Sequence, residues 1–313
     1  MRQAHALACL VLKDFSNPFS RHDFTRPQLF ACLVLREMLR LSYRKTEAFL
    51  RDSMSLLLEI GMTRPPDHNT LWRAFDKLVE TRQVNRMLDL QARMFAEAHL
   101  LKLSSKPLTI DSTCYEPRHR SRHYDRVCKK MRLRDGAKYT EKPGPDEVNR
   151  SRSIKAKLKV KQMPKLAIAV AAASHVILAA RVHTGNGSDQ PDFTPLLRRA
   201  HQRARVYVVV ADAGYDSEKN HRSAREALKV RSVIPAKIGK PTKKKPTGRH
   251  RRNMHNRFAR NADKRTYGQR SQSETVNSMM KRNYGDALRS IRKKRREREM
   301  LLRVVTHNVM LRC

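Results

Sequence analysis

The run Val206-Tyr207-Val208-Val209-Val210-Ala211-Asp212 decides the fold. A continuous apolar run of this length reads as a strand covered on both faces, which is how strands sit in α/β sheets. It ends on a carboxylate. Ser217 follows as a cap for a helix running to Lys229, and Val230 to Ile238 reads as a last strand. Upstream, Leu108-Thr109-Ile110-Asp111 is a strand after Pro107 that also ends on a carboxylate. Lys165 to Ser174 and His175 to Thr184 read as two more strands, with a turn near Ser174 and a stop at Gly185-Asn186-Gly187. A helix follows from Asp192 to Arg203. The order strand, strand, strand, helix, strand, helix, strand, helix predicts an α/β sheet, and sites in such sheets lie at strand ends. The first and fourth strands can be neighbours there, bringing Asp111 and Asp212 together.

Residues 1–104 read differently. Gly61 is their single glycine, and Leu29, Leu33, Leu35, Met38, Leu39 and Leu41 form an apolar stripe after Pro27. Tyr43 to Ile60 and Thr70 to Leu90 repeat the helical pattern, with Asn69 or Thr70 as cap after the break at Pro65-Pro66. One reading is a helix-turn-helix with Arg73 and Lys77 near the start of a recognition helix. The other is a plain helical bundle used for dimer contacts, and the long gap between the helices leaves both open.

The net charge of +39 comes from 68 Lys and Arg against 29 Asp and Glu. Such an excess repels itself unless a polyanion neutralises it, so nucleic acid is the expected partner and binding should be salt-sensitive. Much of the charge sits in two stretches, Arg118 to Lys165 and Gly239 to Arg265, which read as basic loops or arms able to meet phosphates. Five cysteines with no C-x-x-C pair argue against a secreted disulfide framework. Cys114, His119, His123 and Cys128 have zinc-like spacing, but they lie in a segment crowded with Arg and Lys, and zinc is the weaker reading. No apolar run approaches the length of a membrane span, which predicts a cytosolic protein in contact with the chromosome.

Near the C-terminal end, Tyr267, Arg270, Glu274 and Lys281 recur at spacings of three, four and seven. On a helix reaching back to Tyr267 they would share a face within roughly 60°, from the 100° turn per residue. That face offers a carboxylate for a hard divalent cation and two cations for phosphate oxygens.

The same four residues, in the order Tyr, two residues, Arg, three residues, Glu, six residues, Lys, resemble the signature around the glutamate of DDE transposases of prokaryotic insertion sequences. Ile110-Asp111-Ser112-Thr113 resembles the family's first aspartate motif, and Ala211-Asp212-Ala213-Gly214-Tyr215 its second. The stretches Arg44 to Asp52 and Pro66 to Leu71 resemble the family's N-terminal region, generally assigned to terminal-repeat binding. The resemblance implies a ribonuclease H-like mixed sheet flanked by helices over residues 105–313, preceded by an all-α domain over 1–104. The basic insertions would fall at about 115–164 and 239–266.

For the site, the resemblance implies that Asp111, Asp212 and Glu274 are catalytic and hold Mg²⁺ or Mn²⁺, as two ions. Tyr267, Arg270 and Lys281 would contact DNA; the helix-turn-helix reading adds Arg73 and Lys77 as contacts. The implied partners are terminal inverted repeats and target DNA, bound by a homodimer or higher oligomer. The implied reaction is cleavage at the element's ends followed by strand transfer. Two other readings use the same residues: a ribonuclease H-like nuclease without strand transfer, and a basic DNA-binding protein without chemistry.

Overall fold

The computed structural model describes residues 1–19, 21–117, 163–183, 185, 187–237 and 246–311. Six helices come first: α1 (Arg2–Cys9), α2 (Arg26–Met38), α3 (Tyr43–Asp52), α4 (Met54–Leu58), α5 (His68–Leu78) and α6 (Thr81–Glu97). Local chemistry sets their starts. Thr25 and Gln28 form a reciprocal capping box ahead of α2, and the Ser42 hydroxyl accepts from the Lys45 amide at α3. The cap of α5 is Asp67, not Asn69 or Thr70: its carboxylate accepts the Asn69 amide at 2.7 Å, and the helix begins at His68. The two long helices read from sequence are each divided, at Ser53 and at Val79-Glu80, because the chain bends there to keep its apolar stripes on one core.

The sheet follows the expected order. Its strands are β1 (Leu108–Cys114), β3 (Lys165–Ala171), β4 (Ile177–His183), β5 (Val208–Ala211) and β6 (Arg231–Val233), arranged β4-β3-β1-β5-β6. A two-residue strand β2 (Glu116–Pro117) pairs with β7 (Ala287–Leu288) elsewhere. β1 is antiparallel to β3 along its whole length and parallel to β5 over Leu108 to Ile110 alone. This is a mixed sheet flanked by helices, with α7 (Gln190–Arg203) on one face and α11 (Ser271–Tyr284) on the other.

Alternation along β3 shows why both faces must be covered. Leu166, Ile168 and Val170 join one core, shared with α1, α2, α5, α6, α11 and the last helix α12 (Lys293–Met310). Ala167, Ala169 and Ala171 join the other, with Phe193, Leu196 and Leu197 of α7. Small residues on the α7 face let the helix approach, and each large side chain buried opposite contributes about 1.5–3 kcal/mol. The N-terminal helices and the sheet therefore share one continuous core.

Several element boundaries differ from the sequence reading. β1 does not stop at Asp111 but continues to Cys114, because β3 pairs with it throughout. The helix after Ser217 is short: α8 (Glu218–Arg222) gives way to a π-helical turn over Ser223–Ala227. The strand expected over Val230 to Ile238 is Arg231–Val233. The second basic stretch, read as a loop, contains a helix, α9 (Arg249–Ala259), followed by α10 (Lys264–Gly268). Nearly all of the first basic insertion, with His119, His123 and Cys128 of the zinc-like pattern, lies outside the described residues.

Candidate active site

Register brings the two aspartates together. Ile110 pairs with Ala211 across the parallel β1 and β5, so Asp111, still on β1, and Asp212, just past the end of β5, each follow that pair by one residue. Ile110 and Ala211 both point into the α7-side core, so alternation turns Asp111 and Asp212 to the α11 side. Past that pair β5 ends while β1 continues, and the strands part around the two carboxylates.

Asp111 is half-buried beneath α11. The side-chain amide of Asn277 donates to its Oδ2 at 3.0 Å. Burial pushes the Asp111 carboxyl up to about 6. The Ser112 amide, Arg270 and Asn277 oppose that rise, and Glu274 adds to it. Asp212 is exposed at the end of β5.

Glu274 lies in the first turn of α11, and its carboxylate sits 2.7 Å from Arg270 Nη2. The helix does not reach back to Tyr267, as the shared-face expectation required. It begins at Ser271, and Tyr267 belongs to the separate α10, because tight turn bonds at Gln269 and Arg270 interrupt the helical ladder. Even so, the Arg270 guanidinium stands 5.9 Å from the centre of the Tyr267 ring. Burial works against the Arg270 charge, yet Glu274, Tyr267 and Asp212 together hold its pKa above the ordinary value. Burial also raises the Tyr267 phenol. Two turns beyond Glu274, Lys281 lies 5.7 Å from the centre of the buried Tyr115 ring.

Asp111, Glu274, Asn277 and Lys281 line one cleft of about 640 Å³. Arg40 and Arg282 line it as well, residues that the sequence reading did not select. Arg40, just past the C-terminal cap of α2, lies in the left-handed region (φ 53°) and donates from Nε to the Asn283 carbonyl at 2.8 Å. The N-terminal helices thus contribute a cation to the cleft through a contact that no local pattern encodes. Asn277 was more accessible, since three residues after Glu274 is one helical turn.

Arg73 and Lys77 lie elsewhere, exposed one turn apart on α5. On the same helix, Trp72 stacks under Arg295 at 3.7 Å and Asp76 pairs with Arg295 and Arg298 of α12.

Two carboxylates on neighbouring strands and a third on the facing helix offer hard oxygen ligands suited to a divalent cation such as Mg²⁺ or Mn²⁺. Among the described residues, the group of potential ligands already within 4.8 Å of one another is a different one, Glu47, Asp67 and His68. His68 Nδ1 lies 2.8 Å from Glu47 and 3.1 Å from Asp67, and Asp67 also caps α5. That group is accounted for as a knot tying α3 to α5.

A family model described as the transposase DDE domain matches residues 109–309, a span that contains Asp111, Asp212 and Glu274. Among solved structures, one similar chain comes from the cryo-EM structure of a piggyBac transposase synaptic complex with hairpin DNA. The TM-score is 0.41 at 10% identity, covering 99% of this chain and 70% of that one. No curated protein matches. Among the described residues, no helix is long and apolar enough to cross a membrane.

Proposed function

This chain belongs to the transposase DDE-domain family, and we propose that it cuts DNA at the ends of an insertion sequence and joins those ends to target DNA. The observation that carries the reading is the placement of Asp111 and Asp212 one residue beyond a parallel strand pair, on the side of the sheet where α11 carries Glu274.

In this proposal the three carboxylates hold the divalent cations, Mg²⁺ or Mn²⁺, as a pair. Bound there, the two ions supply activation of the attacking oxygen and stabilisation of the leaving one. The protein's own residues do the positioning. Asn277 fixes the Asp111 carboxylate from above. Arg270, paired with Glu274 while DNA is absent, is free to swing to a phosphate oxygen once Glu274 is otherwise engaged. Lys281 meets a second phosphate from the far end of the cleft, and Tyr267 packs against the nucleic acid beside Arg270. The attacking group is water in the first step and the freed 3′-hydroxyl in the second.

The partners in this reading are terminal inverted repeats and target DNA, engaged by a homodimer or higher oligomer, with Arg73 and Lys77 as exposed contacts on α5. The net charge of +39 supports a polyanionic partner.

The test is cleavage of a DNA fragment spanning the gene's own flanks with Mg²⁺ present, comparing the wild type with Glu274→Gln. Cuts at repeat ends that vanish in the variant support the enzyme and one catalytic residue together. Binding without cuts in either protein would leave a DNA-binding protein without chemistry.

A further inference from the structure

Helix α9 sorts its charges by face. His250, Arg251, Met254, Arg257 and Phe258 turn inward, while Arg249, Arg252, Asn253, Asn256 and Arg260 are all exposed. The inward side chains each meet an acid: Arg251 pairs with Asp216 at 2.7 Å and Arg257 with Asp263 at 2.6 Å, while the His250 ring lies 2.9 Å from Glu226. Asp263 is shared with Arg231. Glu218 accepts the His250 and Arg251 amides at 3.0 and 3.1 Å and so fixes the start of the helix. Gly248 permits that approach, because a Cβ there would collide with the Glu218 carboxylate. The acids near α9 are thus spent on its inner face.

Among the described residues, the outer face has no carboxylate bonded to its arginines, though after the His250 bond Arg249 also helps hold the Glu226 carboxyl below its ordinary value. Among the described residues, none of Arg249, Arg252 and Arg260 forms an ion pair, and Arg252 bonds only back to the Gly248 carbonyl at 3.2 Å. They recur at steps of three and eight, so with Asn253 and Asn256 they follow one stripe about 16 Å long, at 1.5 Å per residue. The stripe borders a groove of about 670 Å³ lined by the stripe residues, Ala262 and the Asp263-paired Arg257, whose side chain is partly exposed, with no carboxylate and no aromatic ring.

We propose that this stripe is a docking strip for the sugar-phosphate backbone of duplex DNA. The chemistry decides the class of partner. Guanidinium groups and side-chain amides bind phosphate oxygens in any sequence. A single-strand site would need aromatic platforms for the bases, and the groove offers none. Phe258, the aromatic residue of α9, faces inward and packs edge-on against Tyr267 at 5.2 Å. That same contact ties the strip to the cleft: α9 leads through α10 into Arg270 and Glu274, so duplex held on α9 has a fixed position relative to the carboxylates. The inference rests on the transposase reading for its partner but not for its location.

The test is binding of a short labelled duplex of arbitrary sequence in metal-free buffer, titrated from about 50 to about 200 mM salt. Arg249→Ala, Arg252→Ala and Arg260→Ala combined should lower the slope of log affinity against log salt by about 2–3, at about 0.9 per lost phosphate contact. The triple Lys variant should keep the slope. All three side chains are exposed, so the melting temperature should not move, and a wild-type melt verifies that the fold is intact. A slope unchanged in the triple Ala variant, alongside a wild type that binds and cuts DNA, overturns the strip and leaves the enzyme standing. Wild type that does not bind duplex at all overturns both. Preference for single-stranded DNA that disappears in the triple Ala variant overturns the duplex assignment.

Discussion

The Ser112 hydroxyl donates a 2.6 Å hydrogen bond to Asp189 Oδ1, and the other oxygen of that carboxylate lies 3.1 Å from where a Cβ on Gly214 would stand. Asp189 therefore touches the residue after Asp111 and the residue two beyond Asp212. The buried Lys165 ammonium, 3.2 Å from Asp189 and 3.1 Å from Asp192, holds it in place. One carboxylate outside the candidate triad thus spaces the two strand ends that carry its aspartates.

Gly214→Ala is expected to push Asp189 and shift Asp212 relative to Asp111. A displacement of a few tenths of an ångström should slow DNA cleavage by up to about tenfold, less than the roughly hundredfold cost of a 1 Å misplacement. Cleavage rates at saturating DNA, with affinity measured in parallel, check it. Wild-type rates in this variant would show that the spacing is not critical.

Asp111→Asn, Asp212→Asn and Glu274→Gln should each abolish metal-dependent cleavage while leaving duplex binding intact, because each removes one hard ligand and no part of the α9 strip. Cleavage retained by any one of them removes that residue from the triad.

Lys281→Ala should weaken engagement of the element's end and reduce the salt slope by about 1, as loss of one phosphate contact does. If Lys281 merely packs on Tyr115, the slope stays at the wild-type value and only the melting temperature changes.

Arg303 of α12 is fully buried and binds Glu37 at 2.9 Å, Glu299 at 3.1 Å and the Gly285 carbonyl at 2.7 Å. Arg303→Met would leave two buried carboxylates short of a partner and should cost about 3–5 kcal/mol. Denaturant unfolding measures it, and a loss below about 1 kcal/mol would mean that Arg289, also on Glu37, suffices alone.

His307 is buried and donates from Nε2 to the His175 carbonyl at 3.0 Å. Burial pushes its pKa down to about 4, the carbonyl opposes that shift, and His175 adds to it. The unfolded chain, with an ordinary value near 6.5, takes up the proton first, so stability should fall as pH drops from about 6.5 to about 4. The loss is about 3 kcal/mol at roughly 1.4 kcal/mol per unit. His307→Gln should flatten that part of the pH profile, and identical profiles for the two proteins would contradict the assignment.

The sequence by itself determined the α/β order, the helical character of residues 1–104, the strand residues that carry Asp111 and Asp212, and the family motifs. These are local: an unbroken apolar run, a cap residue or a motif reads the same wherever the chain is placed. Tertiary structure decided the rest. The length of β1 beyond Asp111 depends on its pairing with β3, far along the chain. α9 was hidden because its residues are mostly Arg, His and Asn, and its inner face is apolar only at Met254 and Phe258, with acids from distant segments completing it. The break between Tyr267 and Arg270 could not be read from periodicity, since turn bonds and helix bonds carry the same residues. Arg40 and the Asp189 brace reach the site through contacts between distant segments, and such contacts leave no periodic trace in a sequence, whereas Asn277 stands one helical turn after Glu274.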